Sequence, residues 1–147
     1  MNIKQNFIKT TQVLGKAEDG WNVAIRLVLS YGFYTPAMMK LSDIHAIADW
    51  FAEMGLPAPL LNAYLATGTE LAGVILLPLG LGTRFIAIPL IITMIVAIAT
   101  VHWANGFEAG NNGFEIPFYY LLFLTFLLIK GSGKWSIDFL IKRKLVA

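Results

Sequence analysis

The chain has 147 residues, 57% of them hydrophobic and only 14% charged, with a formal net charge of +2 and a mean hydropathy of +0.67. A soluble domain of this size needs a far more polar surface, so composition alone makes this a membrane protein. Cysteine is absent, which excludes thiol exchange by the chain itself and iron–sulfur ligation, and the cations sit at the borders of apolar stretches rather than on one basic face, which excludes a nucleic-acid partner.

In chain order, Ile3, Phe7 and Leu14 recur at helical spacing with Lys4, Lys9 and Lys16 between them, a pattern that predicts a helix lying on the inner leaflet. No short apolar core with small-residue cleavage positions precedes Trp21, so the N-terminus is expected to be retained. The first span is placed at about Trp21 to Met39 and carries Arg26 and Tyr31. After it, Ile44, Ile47, Ala48, Phe51 and Met54 form one stripe of a helix over 42–54 that Ser42 or Asp43 can cap. That helix is expected to lie flat on the outer leaflet. His45, Asp49 and Glu53 follow at i, i+4, i+8 on another face; they are either a solvated polar face or candidate ligands for a divalent cation.

The second span, about Leu60 to Leu81, holds Glu70 near its middle and two small-xxx-small pairs, Gly68 with Ala72 and Thr69 with Gly73, which permit close helix approach. Gly80 and Gly82 before Thr83-Arg84 predict a tight turn that makes spans two and three antiparallel neighbours. The third span, about Thr83 to Trp103, carries a weakly polar stripe of Thr93, Ala97 and Thr100 leading to His102. A Gly- and Asn-rich connection with Glu108 leads to Glu115 and to the fourth span, about Phe114 to Ile129. This last span is short, ~24 Å as a helix against a hydrocarbon core of ~30 Å; Pro117 suits its first turn. The following Gly131-Ser132-Gly133-Lys134-Trp135 lacks the upstream Gly and the Ser/Thr after Lys of a phosphate loop and reads as a helix stop. Trp135, Ile137, Phe139, Leu140 and Ile141 with Lys134 and the 142–144 basic run read as a second helix on the inner surface.

The fold expected is a single all-α membrane domain over 1–147: an antiparallel bundle of four transmembrane helices with amphipathic surface helices. Apolar runs this long cannot be barrel strands, which alternate over about ten residues. Cations precede span one, follow span four and mark the turn at Arg84, whereas the other two connections hold only Lys40. Both termini are therefore expected in the cytoplasm of a multi-pass inner-membrane protein.

Charges within a bilayer are costly unless paired or wetted, so Arg26, Glu70, Arg84, His102 and Glu115 are leads to function. Depth counting places Arg26 ~6–8 Å inside the inner boundary and Glu70 near the midplane, which suggests an Arg26–Glu70 pair with Tyr31 donating to Glu70. Two readings follow. In one, Arg26–Glu70 and Arg84 fasten helices, while His102 and Trp103 belong to an interfacial belt. In the other, Arg26, Tyr31, Glu70 and Arg84 bind a ligand in a polar pocket, with Glu70 as proton acceptor and a quinone as the candidate cofactor. At the outer mouth His102, Glu108 and Glu115 are expected to come together, either as loop-bonding residues or as a metal or ligand entrance to which the helix bearing His45 and Asp49 is a lid. Both histidines lie on the outer side, so a bis-His haem inside the bundle is not expected, although His102 could supply a single axial ligand.

The segments Arg26-Leu27-Val28-Leu29, Lys40, Met54-Gly55-Leu56-Pro57-Ala58-Pro59, Glu70-Leu71-Ala72-Gly73, Leu79-Gly80-Leu81-Gly82-Thr83-Arg84 and Gly131-x-Gly133-Lys134-Trp135-Ser136-x-Asp138, in this order and spacing, resemble the DoxX family of small four-helix membrane proteins over residues 21–140. The resemblance implies a left-handed four-helix bundle in the bacterial inner membrane. It also implies association with terminal quinol oxidase or thiosulfate:quinone oxidoreductase systems, with oxidative-stress complexes, or with operons for metal-responsive secreted peptides. Where many relatives carry a His-Gly pair in span one, this chain has Tyr31-Gly32-Phe33-Tyr34-Thr35-Pro36, which argues against a His-based site there. The function expected is an accessory, not independently catalytic, component of a quinone-linked or stress-related redox system. Its partners would be membrane lipid, redox-protein subunits and further copies of the chain. The rival is a non-redox small-solute carrier or membrane scaffold, which an open polar path through both faces would favour.

Overall fold

The computed structural model describes Phe7, Gly15 and residues 17–146. Apart from Phe7, the expected N-terminal surface helix with Lys4, Lys9 and Lys16 lies outside the described residues. Those residues are all-helical, with no strand among them. The helices are α1 (Glu18–Ser42), α2 (Ile44–Glu53), α3 (Pro59–Leu79), α4 (Thr83–Ala97), α5 (Glu115–Lys130) and α6 (Ile137–Val146). A π-helical turn, Ile98–His102, and a 3-10 turn, Trp103–Asn105, prolong α4. Among the described residues two helical runs, Pro59–Leu79 and Thr83–Asn105, are long and apolar enough to cross a membrane.

The four long helices pack in a ring in which every neighbour is antiparallel. Ser30 Oγ donates to the Val74 carbonyl at 2.8 Å and fixes the α1/α3 register. The Gly80–Gly82 turn closes the α3/α4 hairpin as the glycines predict, with both residues at positive φ. Arg84 meets the last turn of α5 through the Ile129 carbonyl at 2.8 Å, and Phe33 packs edge-on against Tyr120 to join α1 to α5. At Gly73 an added Cβ would lie 2.9 Å from the Leu90 side chain, so the Thr69/Gly73 small pair does admit α4 closely. Gly68 has open space beside it.

Ile25, Leu29, Leu77, Ile86, Leu90, Leu124 and Leu127 fill the half of the ring nearest residue 18 and the C-terminal helix. At the opposite end, Asp43 caps α2 by accepting from Ala46 N at 3.0 Å. The apolar stripe of α2 does not simply rest on a leaflet: Ala48 and Phe51 are buried with Ala63 of α3 in a second, smaller cluster. A stripe with a complementary protein face beside it buries there first, so α2 roofs the bundle.

Candidate functional site: a roofed cavity with a lysine–glutamate pair

Between the roof and the packed half of the ring lies a cavity of about 780 Å³. Its wall is largely apolar, with Phe33, Phe51, Ile92 and Met94 among the lining residues, and polar groups are few. That is the usual make-up of a small-molecule site, where apolar surface supplies affinity and a few polar groups fix orientation. Glu70, 3% exposed, projects into it from α3 and Lys40 from α1. Lys40 Nζ donates to Glu70 Oε1 at 3.0 Å and to Oε2 at 2.8 Å. An ammonium has three N–H donors, so one remains for a ligand oxygen.

The α1 wall beside Lys40 is shaped by proline and glycine. Pro36 has no N–H to give the carbonyl of Gly32 one turn below, and both residues line the cavity. The absent side chain of Gly32 makes room for the Tyr120 ring and hydroxyl, which an added Cβ would strike. The weakly polar stripe of α4 also faces inward: Thr93, Ala97 and Thr100 line the cavity up to His102. The Thr93 hydroxyl donates to the Pro89 carbonyl at 3.0 Å and that of Thr100 to Val96 at 2.8 Å, which leaves each oxygen able to accept.

A family model described as DoxX matches residues 22–103, more than half of the chain. The chain belongs to the DoxX family. This DoxX protein is 33% identical to an uncharacterised protein of Haemophilus influenzae, over 81% of this chain and 82% of the other. It is 30% identical to a Bacillus subtilis protein named "Putative oxidoreductase CatD", over 85% and 90%. A third relative, the uncharacterised membrane protein Rv3486 of Mycobacterium tuberculosis, is 29% identical over 85% and 83%. No solved structure gives a significant match.

The residues picked out by sequence divide sharply in this DoxX chain. Glu70 lines the cavity, but Arg26 does not join it. Arg26, 1% exposed, donates to the carbonyls of Leu77 at 3.2 Å, Pro78 at 3.0 Å and Trp135 at 2.6 Å. It thus binds the end of α3 to the segment before α6. The side chain fits only because Gly80 leaves that space open: a Cβ there would meet the guanidinium. Tyr31 is 83% exposed on the outside of α1 and does not reach Glu70. Arg84 lies at the same end as Arg26, far from the cavity.

At the mouth, His102 Nδ1 is 2.8 Å from the Asn112 carbonyl, to which it must donate, because a carbonyl only accepts. Glu115 accepts from Ala109 N at 3.0 Å and from the Tyr119 hydroxyl at 3.2 Å, and Glu108 accepts from the Asn111 amide at 3.3 Å. His102 and the two glutamates thus bond their own loop, and Trp103 stacks on Phe114 within it. Among the described residues no group of three His, Asp or Glu converges as a metal site; His45, Asp49 and Glu53 stay on the outer surface of α2. Sequence reasoning missed Lys40 as a site residue, reading it only as the end of span one. The available signal was that Lys40 is the one cation between residues 26 and 84.

Proposed function

We propose that the protein is a four-span inner-membrane bundle, both termini cytoplasmic, that holds the headgroup of a quinone-type ligand in the roofed cavity as an accessory component of a redox system. The observation that carries this reading is the Lys40–Glu70 ion pair lining a largely apolar cavity. A buried ion pair there is weak evidence for stability, since its desolvation cost rivals its attraction, and a spare donor aimed at a ligand gives it a use. Two carbonyl oxygens on a flat ring fit the donor set: the third N–H of Lys40 on one, and the Tyr120 hydroxyl on the other. When bound, a quinone supplies the two-electron, two-proton chemistry. Glu70 Oε atoms hold a proton for that exchange, Lys40 Nζ orients the ring, and the apolar wall excludes water. The relative named as an oxidoreductase adds support at the level of chemistry. The packed leucine and isoleucine core closes the cavity toward the far side, which favours binding over the carrier reading's through-path.

Trp50 lines the cavity and is a built-in reporter. Titration of the purified full chain with a short-chain quinone should give saturable quenching of tryptophan fluorescence. Lys40→Met should weaken it about tenfold, the value of one charged hydrogen bond, and Gly32→Ala, which forces Tyr120 into the cavity, should weaken it as well. Non-saturable quenching, or equal affinity in all three proteins, would overturn the reading.

A further inference from the structure

At the other end of the bundle a second hollow, of about 380 Å³, lies between the start of α4, the end of α5 and the first turns of α6. Four cations line it, Arg84, Lys130, Lys134 and Lys142, against two carboxylates, Asp19 and Asp138. The carboxylates are largely engaged. Asp138 accepts from Gly82 N at 2.7 Å and Thr83 N at 3.0 Å, and Asp19 accepts from Lys134 N at 2.9 Å and pairs with its ammonium at 3.5 Å. Lys130 pairs with Glu18 at 3.0 Å. Arg84 spends one guanidinium nitrogen on the Ile129 carbonyl, and among the described residues neither Arg84 nor Lys142 has an ion-pair partner. Two cations therefore face a concave site and lack a counter-charge among the described residues.

The apolar surroundings say what kind of anion suits it. Phe85, next to Arg84, is 81% exposed and Ile129, next to Lys130, is 69% exposed. These residues belong to the bare apolar flanks of α4 and α5 and are the chain neighbours of two cations that line the hollow. A free anion would use the cations alone. A phosphate that carries acyl chains would use both surfaces at once.

We propose that this hollow binds the phosphate headgroup of an anionic lipid of the cytoplasmic leaflet, with Arg84 and Lys142 as its principal contacts and the acyl chains against Phe85 and Ile129. The proposal rests on the membrane placement given above and is independent of what the roofed cavity holds. Juxtamembrane cations gain most from anionic lipid when they are concentrated at one leaflet, and among the described residues all cations but Lys40 lie at this end.

The test is lipid binding to the detergent-purified full chain, read by native mass spectrometry, with dioleoyl phosphatidylglycerol, dioleoyl phosphatidylcholine and inorganic phosphate as probes. Phosphatidylglycerol should be retained over phosphatidylcholine. Lys142→Gln, which removes no side-chain hydrogen bond or ion pair among the described residues, should weaken that binding about fivefold, whereas Lys144→Gln, an equal loss of charge outside the hollow, should leave it unchanged; quinone quenching should be unchanged in Lys142→Gln. Equal effects of the two substitutions, or no preference between the two lipids, would overturn the site. Displacement by millimolar inorganic phosphate would overturn the lipid in favour of a free anion.

Discussion

Every Cα–Cβ bond in a helix tilts toward that helix's own N-terminus. In antiparallel α1 and α3 this decides which charges meet. The stem of Lys40 falls back into the bundle from the end of α1, and Glu70 leans up toward it from the middle of α3. Arg26 is turned the opposite way, toward the start of α1, and finds carbonyls freed at the end of α3. Depth counting alone ignores this direction, which is why it pairs Arg26 with Glu70. Removing one member of the true pair strands a charge in a low-dielectric wall. Lys40→Met or Glu70→Leu alone should each cost about 3 kcal/mol, and the Lys40→Met/Glu70→Leu double change clearly less than the sum. A double-mutant cycle by thermal unfolding in detergent checks this, and additive effects would mean that the two groups act independently.

At the scale of elements, α6 is tied to the bundle by its first turn and not by its apolar face, none of whose residues is buried. Asp138 carries the tie: its carboxylate accepts from the first N–H groups of α4, and its own N–H donates to the Gly80 carbonyl at 3.0 Å. Free N–H groups at a helix start are costly to leave unpaired, so Asp138→Ala should lower stability by about 1–2 kcal/mol. Hydrogen exchange should then accelerate both in residues 82–86 and in 132–140, two segments remote in sequence. Acceleration confined to α6 would show that α4 does not depend on this cap.

Across the whole molecule, the described charged side chains gather toward the two ends, and leucine and isoleucine dominate the packed core of the ring. The cation-rich end holds Arg26, Arg84 and the C-terminal helix; the other end holds the cavity, its roof and the aromatic loop. With the cation-rich end cytoplasmic, cysteines introduced singly at Asp49 and Ala109, both exposed in a chain with no cysteine of its own, should react with an impermeant maleimide from outside intact cells. A cysteine at Lys144 should react only after permeabilisation. The reverse pattern would invert the proposed topology.

Much of this architecture was legible along the chain because it depends on neighbours in sequence. Apolar runs set the long helices to within a few residues, and Gly80 and Gly82 set the hairpin. Asp43 set the start of α2, and the stripe of Thr93, Ala97 and Thr100 marked the inner face of α4. Membership of the DoxX family was equally legible, because its short segments keep their order and spacing. Only the tertiary structure decided which distant groups meet. Lys40 reaches Glu70 across thirty residues of chain, Arg26 reaches Trp135 across more than a hundred, and α2 roofs a cavity instead of lying free. These outcomes follow from helix pairing, side-chain direction and the space left by Gly32 and Gly80. A cavity is a property of surfaces that fail to touch, and no single segment of sequence carries it.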